Sequence, residues 1–137
     1  MSDIFGAIGI AASGMAAERL RLDVTSANLA NADTTRGTNG KPYVRQEVAL
    51  QAGGVSTFSN MLSGVQVAGI VNDPSPPRRV YDPSHPDADA NGYVNLPNVN
   101  SVTEMTDLIA ESRSYEADTQ ALQTAKTLYS KTLDLLR

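Results

Sequence analysis

A segment in the second half of the chain, HPDADANGYVNLPN at residues 85–98, could bind a calcium ion through oxygens at alternate positions, those of Asp87, Asp89 and Asn91. Gly92 follows them, as glycine does at the sixth position of an EF-hand loop. The twelfth position of such a loop supplies a bidentate glutamate, but here it is Asn98. Asn91-Gly92 is in addition a strong signal for a turn between extended segments. The sequence therefore favours a turn, with a weak calcium loop at Asp87–Asn91 as the alternative.

The residue inventory does not suit an enzyme. His85 is the only histidine and lies between prolines, which is typical of a surface turn and not of a general base. Because the chain has no cysteine, thiolate nucleophiles are excluded. Because it has one histidine, a site with two histidine ligands from one chain is excluded as well. A row of carboxylates seven residues apart, Glu104, Glu111 and Asp118, could attract a cation, but a solvated helix face is its more common meaning. We therefore predict no catalytic residue, metal or cofactor.

Length and charge limit the class of protein further. The 137 residues suit one ordinary domain, and the 41% hydrophobic content excludes wholesale disorder. The net charge of −4 argues against nucleic acid as a partner. The apolar stretch at residues 4–17 is shorter than the roughly 20 residues that cross a bilayer. Asp3 precedes it, where a cleavable signal has a basic segment. We expect neither membrane insertion nor a signal peptide.

Residues 3–32 carry the period of a helix. Apolar side chains recur every seven residues and form a seam, with Ile4 in an intervening position: Ile8, Met15, Leu22 and Leu29. Small residues on the same helix, among them Gly9 and Ala17, would let another helix approach closely. Asparagine, aspartate and glycine residues from 28 to 37 then predict the end of this helix.

The middle of the chain, residues 38–97, holds all seven prolines and lacks a helical period. Alternating segments predict four short strands, in PYVRQEVALQ, GVQVAGIVND, RRVYD and GYVNL. The run VSTFSNMLSG at residues 55–64 favours neither helix nor strand. This part therefore predicts a small β unit with long loops.

The last part, residues 98–137, predicts a long helix. Ser101 and Glu104 form the spacing of a capping box at its start. Apolar side chains then recur every seven residues, with Met105 on a companion seam: Leu108, Tyr115, Leu122, Tyr129 and Leu136. A straight helix over residues 101–136 would be about 54 Å long, longer than the roughly 37 Å diameter of a compact chain of this length. Two interpretations remain open: an elongated molecule whose terminal helices pack against neighbours, and a monomer whose bent helix covers the β unit.

Both ends of the chain resemble one family. Residues 12–34, ASGMAAERLRLDVTSANLANADT, resemble the N-terminal signature of bacterial flagellar rod and hook proteins. Residues 82–118, from DPSHPDADANGYVNLPNVN onwards, resemble a proximal rod component of that family, and SRSYEADTQALQTAKTLYSKTL continues the likeness. Together these stretches cover more than half of the chain and lie towards both of its ends.

The resemblance implies a non-enzymatic structural subunit of the basal-body rod, a shaft that crosses the periplasm and transmits torque for motility. It implies a mainly α fold with a small β insertion. Residues 1–34 and 98–137 would be the helices of a coiled-coil-like polymerisation domain, and residues 35–97 a small β-rich domain. The signature residues carried over are Asn28, Leu29, Asn31, Asn91, Gly92 and Tyr93. We expect the amides of Asn28 and Asn31 to hold carbonyls at the helix end.

The resemblance also implies partners. These are copies of the chain, the other proximal rod proteins, the distal rod, the MS-ring and the rod–export junction protein. The family is exported uncleaved by the flagellar type III apparatus, so that no signal peptide is expected.

Overall fold

The computed structural model describes residues 2–37, 39–52 and 64–135. Two long helices flank four short strands in the order α1 (Ser2–Ala30), β1 (Gln46–Ala52), β2 (Val65–Asn72), β3 (Arg78–Tyr81), β4 (Tyr93–Leu96) and α2 (Ser101–Leu135). The mainly α fold with a small β insertion is confirmed. All four strands lie in the segments whose alternation predicted them, whereas most of the run 55–64 lies outside the described residues.

The end of α1 follows from Asn31. Its side-chain Nδ2 donates a hydrogen bond of 2.8 Å to the carbonyl oxygen of Ala27, and its backbone N–H donates to the same oxygen at 3.1 Å. The Thr34 hydroxyl donates to Asn31 Oδ1 at 3.2 Å. Because the last carbonyls of a helix lack partners within the helix, these bonds end α1 as the sequence predicted.

The start of α2 is capped by Asn100. Its Oδ1 accepts hydrogen bonds from the backbone N–H groups of Val102, at 3.1 Å, and Thr103, at 3.4 Å. The predicted capping box of Ser101 and Glu104 is wrong. Asparagine caps a helix as well as serine does, and the Glu104 carboxylate bonds to charged and amide partners elsewhere in the chain.

The strands form two separate two-stranded sheets, β1 with β2 and β3 with β4. Strands β3 and β4 are antiparallel, with Arg78 opposite Leu96 and Tyr81 opposite Tyr93. Val94 is buried while Tyr93 is exposed, as expected when successive side chains point to opposite faces.

The turn before β4 requires glycine. The Gly92 N–H donates to the carbonyl oxygen of Asp89 at 2.9 Å, and Gly92 has φ +77°. A Cβ there would lie 2.9 Å from a ring carbon of Tyr81. The predicted turn is confirmed, but it ends a loop over residues 82–92 and does not connect two strands directly.

The chain divides into two compact units, and both helices contribute to each. Unit one comprises Met1–Leu22, Val48–Gly69 and Ile109–Arg137; unit two comprises Asp23–Glu47 and Ile70–Leu108. The buried apolar residue of unit one is Ala17, and those of unit two are Val24, Ala32, Val94 and Val99, counted over the described residues. The division at residues 34 and 97 into assembly domains stays a prediction. Neither helix, over its described length, contains a stretch long and apolar enough to span a membrane.

Candidate assembly site

Asn28 of the predicted signature lies at the centre of a buried polar group in unit two and is only 1% exposed. Its Nδ2 donates to the carbonyl oxygen of Gln46, at 2.8 Å, and to Glu104 Oε2, at 3.0 Å. Its Oδ1 accepts from the Gln46 N–H and from the Tyr43 hydroxyl, both at 2.9 Å. The amide therefore uses two donors and two acceptor sites. It pairs with the Gln46 backbone as a neighbouring strand would, and so fixes the start of β1 against α1.

This geometry corrects one expectation. Asn28 was expected, with Asn31, to hold carbonyls at the end of α1, but only Asn31 does so. The reason is position: the side chain of Asn28 faces β1, where it meets a strand whose N–H and C=O both need partners.

Arg45 connects the same group to several acids. Its Nε lies 2.5 Å from Glu104 Oε1, and its guanidinium also pairs with Glu47 and, at 3.6 Å, with Asp73. Glu104 is only 1% exposed, and a buried carboxylate needs such a charged partner. We call Asn28, Tyr43, Arg45, Gln46 and Glu104 the signature cluster.

The pKa values in the signature cluster reflect its burial and charge. Burial alone would lower the pKa of Arg45, but hydrogen bonds and charges from Glu104 and Glu47 outweigh it and raise that pKa above its usual value. Burial, followed by the charge of Glu104, raises the pKa of the Tyr43 hydroxyl. The cluster therefore keeps Arg45 charged and Tyr43 neutral at physiological pH.

Asn98 joins the cluster to the sheet. Its Oδ1 accepts from the Arg45 N–H at 2.8 Å, and its Nδ2 donates to the carbonyl oxygen of Asp73 at 3.4 Å. The Asp73 N–H in turn donates to the Arg45 carbonyl at 2.8 Å. The amide of Asn98 thus bridges the two chain segments that lead into β1 and out of β2.

The carboxylate row of α2 lies on a covered face, so the prediction of a solvated face is wrong for Glu104 and Glu111. Both are buried, and Asp118 is half-buried. In unit one, Arg21 Nε lies 3.3 Å from Glu111 Oε1, and a Cβ at Gly14 would lie 2.7 Å from Asp118 Oδ2. The spacing contained the signal, because Glu104 and Glu111 each precede a predicted seam residue by four positions and so share its face.

The predicted heptad seams are half-buried in the single chain. This holds for Ile8, Met15, Leu22 and Leu29 on α1 and for Leu108, Tyr115, Leu122 and Tyr129 on α2. Met105 is different, since 55% of it is exposed. Ile4 lies within α1 and Leu136 lies outside the described residues. Their role as an interface between subunits stays a prediction.

Exposed apolar side chains continue along α2. Val102 is 73% exposed and Leu128 is 58% exposed, and Met105, Ile109 and Leu133 are exposed as well. The buried apolar side chains of the described residues, by contrast, are alanines and valines apart from Pro97. Burial is the main source of apolar stabilisation, so this helix keeps much apolar surface that its own chain does not use.

The acids of the possible calcium loop bond to protein groups. Asp87 accepts from the Thr35 hydroxyl at 2.7 Å and pairs with Arg36 at 2.5 Å. Asp89 accepts from the N–H groups of Asn91 and Tyr93, at 2.8 and 2.9 Å. The Tyr93 N–H is the largest cause that lowers the pKa of Asp89. In the part of the chain that the structure describes, no group of three histidine or acidic side chains is placed to hold a metal ion. This geometry gives the calcium alternative no support.

The remaining signature residues shape the β3–β4 hairpin. The rings of Tyr81 and Tyr93 meet edge to face with 5.3 Å between centroids, and the Arg79 guanidinium lies 4.8 Å from the Tyr93 centroid. Asn91 is exposed in the turn before β4. These residues therefore stabilise the hairpin and the loop before β4, as the turn interpretation predicted.

Comparison with known proteins accounts for both ends of the chain. Residues 8–37 match the family described as "Flagella basal body rod protein", and residues 90–135 match "Flagellar basal body rod FlgEFG protein C-terminal". Asn28 lies in the first match, and Glu104 lies in the second.

Curated relatives match over nearly the whole length. The flagellar basal-body rod protein FlgC of Bacillus subtilis is 43% identical over 96% of this chain and 97% of its own. The FlgC proteins of Yersinia enterocolitica and Borreliella burgdorferi are 44% and 38% identical, over 92% and 98% of this chain and equal shares of their own. The resemblance to flagellar rod proteins is thereby confirmed. The chain belongs to the FlgC family of flagellar basal-body rod proteins, and is a structural subunit of the rod and not an enzyme.

Proposed function

We propose that this subunit polymerises through its terminal helices, and that the stacked helices carry axial and torsional load along the rod. The observation that supports the proposal is the apolar surface of α2, where Val102, Met105 and Leu128 are each more than half exposed. Full burial of one such side chain contributes about 1.5–3 kcal/mol. Several per contact would outweigh the cost of ordering the helix ends.

The half-buried seams are the second part of the proposal. A half-buried side chain retains area that a neighbouring subunit can cover, and both α1 and α2 carry such side chains every seven residues. Two different surfaces that meet head to tail generate an open helical filament when the rotation does not close. A shaft requires an assembly of this kind.

The partners follow from family membership. As a rod subunit, the chain assembles with other rod components. We extend this to a proximal position in the rod, with the MS-ring and the rod–export junction protein below it and the distal rod above it. Delivery by the flagellar type III export apparatus belongs to the same proposal.

Complementation of a flagellated bacterium that lacks its own copy of this subunit tests the assembly surface. Met105→Glu and Leu128→Glu each place a charge on exposed apolar surface, so we expect loss of swimming in soft agar and loss of rods from purified basal bodies. Thr124→Glu adds the same charge at an exposed polar position of α2 and serves as the matched control. Protein levels and circular dichroism establish that each variant is made and folded.

The seams are tested in the same strain with Leu22→Glu and Leu122→Glu. We expect both to abolish motility while the subunit is still produced. Normal swimming of the seam variants would refute the role of the seams as an interface. Normal swimming of Met105→Glu and Leu128→Glu would refute the role of the exposed apolar residues of α2 as an assembly surface.

A further inference from the structure

The apolar repeats of the two helices do not determine which turn of α1 lies beside which turn of α2. Seam residues recur every seven positions on both helices. A shift of seven residues, about 10.5 Å along the axis, therefore replaces each seam residue by the next member of its own series. In repeats of this kind the register is set by isolated polar residues and not by the apolar series.

The ion pair of unit one does not determine the register either. Arg21 pairs with Glu111, but carboxylates also stand seven residues before and after it, at Glu104 and Asp118. A guanidinium binds any of these carboxylates. An ion pair at Arg21 is thus compatible with three positions of α2 along α1.

The pair of Asn28 and Glu104 has no such substitute. Asn28 is bonded at the same time to the Gln46 backbone and to Tyr43, so its position is fixed by β1 as well as by α2. Seven residues away on α1 stands Arg21, and seven residues beyond Asn28 the chain is no longer helical. A shift that brings Glu104 beside Arg21 leaves Asn28 without a carboxylate acceptor at its buried position, and an unpartnered buried polar group costs its full desolvation.

We propose that Asn28 and Glu104 are positioning residues that determine the register of the last turns of α1 against the first turns of α2. They act from within unit two, through bonds inside one chain. The inference therefore goes beyond assembly of the rod and does not depend on it.

Disulfide trapping in the full-length chain reports the register, because the chain contains no cysteine of its own. Val24 lies one turn before Asn28, and Leu108 lies one turn after Glu104, so Val24→Cys with Leu108→Cys reports the observed register. Val24→Cys with Ser101→Cys reports a shift of seven residues. A disulfide forms only over a Cα separation of roughly 4.4–6.8 Å, so one pair cannot report both registers.

The ratio of the two cross-linking yields, measured by peptide mass spectrometry on dilute protein, tests the proposal. We expect Glu104→Leu to lower the ratio of observed to shifted cross-link about tenfold, the effect of one buried charged hydrogen bond. Glu104→Gln keeps an oxygen that accepts from Asn28 and should restore most of the ratio. The matched control Glu116→Leu removes a carboxylate from an exposed position of the same helix and should leave the ratio unchanged.

A ratio that stays at the parent value in Glu104→Leu, or that falls equally in Glu116→Leu, overturns the proposal. Circular dichroism shows whether Glu104→Leu keeps its helices. If Glu104→Leu loses its helices, Asn28→Ser, which removes the amide that bonds to Glu104, is used in its place. The same fall in ratio then supports the proposal and an unchanged ratio overturns it. Since rods are not involved, failure here is distinct from failure of the assembly surface.

Discussion

Two neighbouring residues at the start of α2 have exposures opposite to those that their polarity suggests. Glu104 is charged and 1% exposed, whereas Met105 is apolar and 55% exposed. The same contrast separates the signature cluster, which is polar and buried, from the exposed apolar side chains of α2. In an ordinary monomeric domain, charged side chains are almost never fully buried unless paired, and large apolar ones fill the core.

The contrast separates two kinds of interaction, directional hydrogen bonds and non-directional apolar contacts. Hydrogen bonds of the signature cluster are directional, so they fix where β1 and α2 begin relative to the end of α1. Apolar burial has no direction, and in this chain much of the apolar surface of α2 remains exposed.

The largest effect on stability is expected from a change in the buried signature cluster. Glu104→Ala removes the partner of both Asn28 and Arg45, so we expect the free energy of unfolding to fall by about 3 kcal/mol. Urea denaturation of the purified chain measures it. Glu116→Ala, at an exposed position of the same helix, should change the value by less than about 0.5 kcal/mol. Equal effects of the two variants would contradict a special role for the cluster.

A pair of glycines compares the covered and exposed faces of α1. A Cβ at Gly9 meets nothing within 4 Å, whereas a Cβ at Gly14 would meet the Asp118 carboxylate. Gly9→Ala should therefore raise the free energy of unfolding by about 1 kcal/mol through helix propensity. Gly14→Ala should give clearly less, because the Asp118 side chain must move. Thermal unfolding of the two variants side by side measures the difference, and identical gains would show that Gly14 does not face α2.

The Tyr43 hydroxyl should make the stability contributed by the signature cluster depend on pH. Its pKa is raised in the folded chain above the ordinary 10.0, by burial first and then by Glu104. The stabilisation from the neutral hydroxyl is therefore fully present below pH 10 and is lost as the pH rises through the raised pKa.

Tyr43→Phe is the matching variant. It should lower the free energy of unfolding by about 1 kcal/mol at neutral pH, and this difference from the parent chain should shrink in alkaline solution. Urea denaturation at a series of pH values measures it. A difference that stays constant through pH 11 would contradict the burial of this hydroxyl beside Glu104.

The smallest effect on stability is expected on the exposed apolar side. Leu128→Gln should change the free energy of unfolding of the isolated chain by less than about 0.5 kcal/mol, because the side chain is 58% exposed. The same variant should impair swimming, since it removes apolar area from the proposed assembly surface. A large loss of stability together with normal swimming would show that Leu128 stabilises its own chain and is not part of an assembly surface.

The helices and strands could be predicted from local pattern alone. The seven-residue period marks both helices, and alternation marks all four strands, because each element places residues close in sequence on one face. Asn31 was predicted correctly for the same reason, since its bonds reach only to Ala27 and Thr34.

The signature cluster could not be predicted in this way. Asn28 and Glu104 meet across the whole middle of the chain, and no local spacing relates them. Residue type was also misleading, because a carboxylate row usually indicates solvent. Only the coincidence of that row with the apolar period, as at Glu104 and Leu108, pointed to a covered face.

The hydrogen bond between Asn28 and Glu104 spans 76 positions of the chain. A contact of such high sequence separation forms late, because the entropy of closing a long loop is lost before the contact contributes stabilisation. While the chain is being synthesised, α1 therefore lacks its bond to Glu104 until residue 104 has been added. A chain shortened to end before residue 104 should therefore lack the bond that joins the end of α1 to α2.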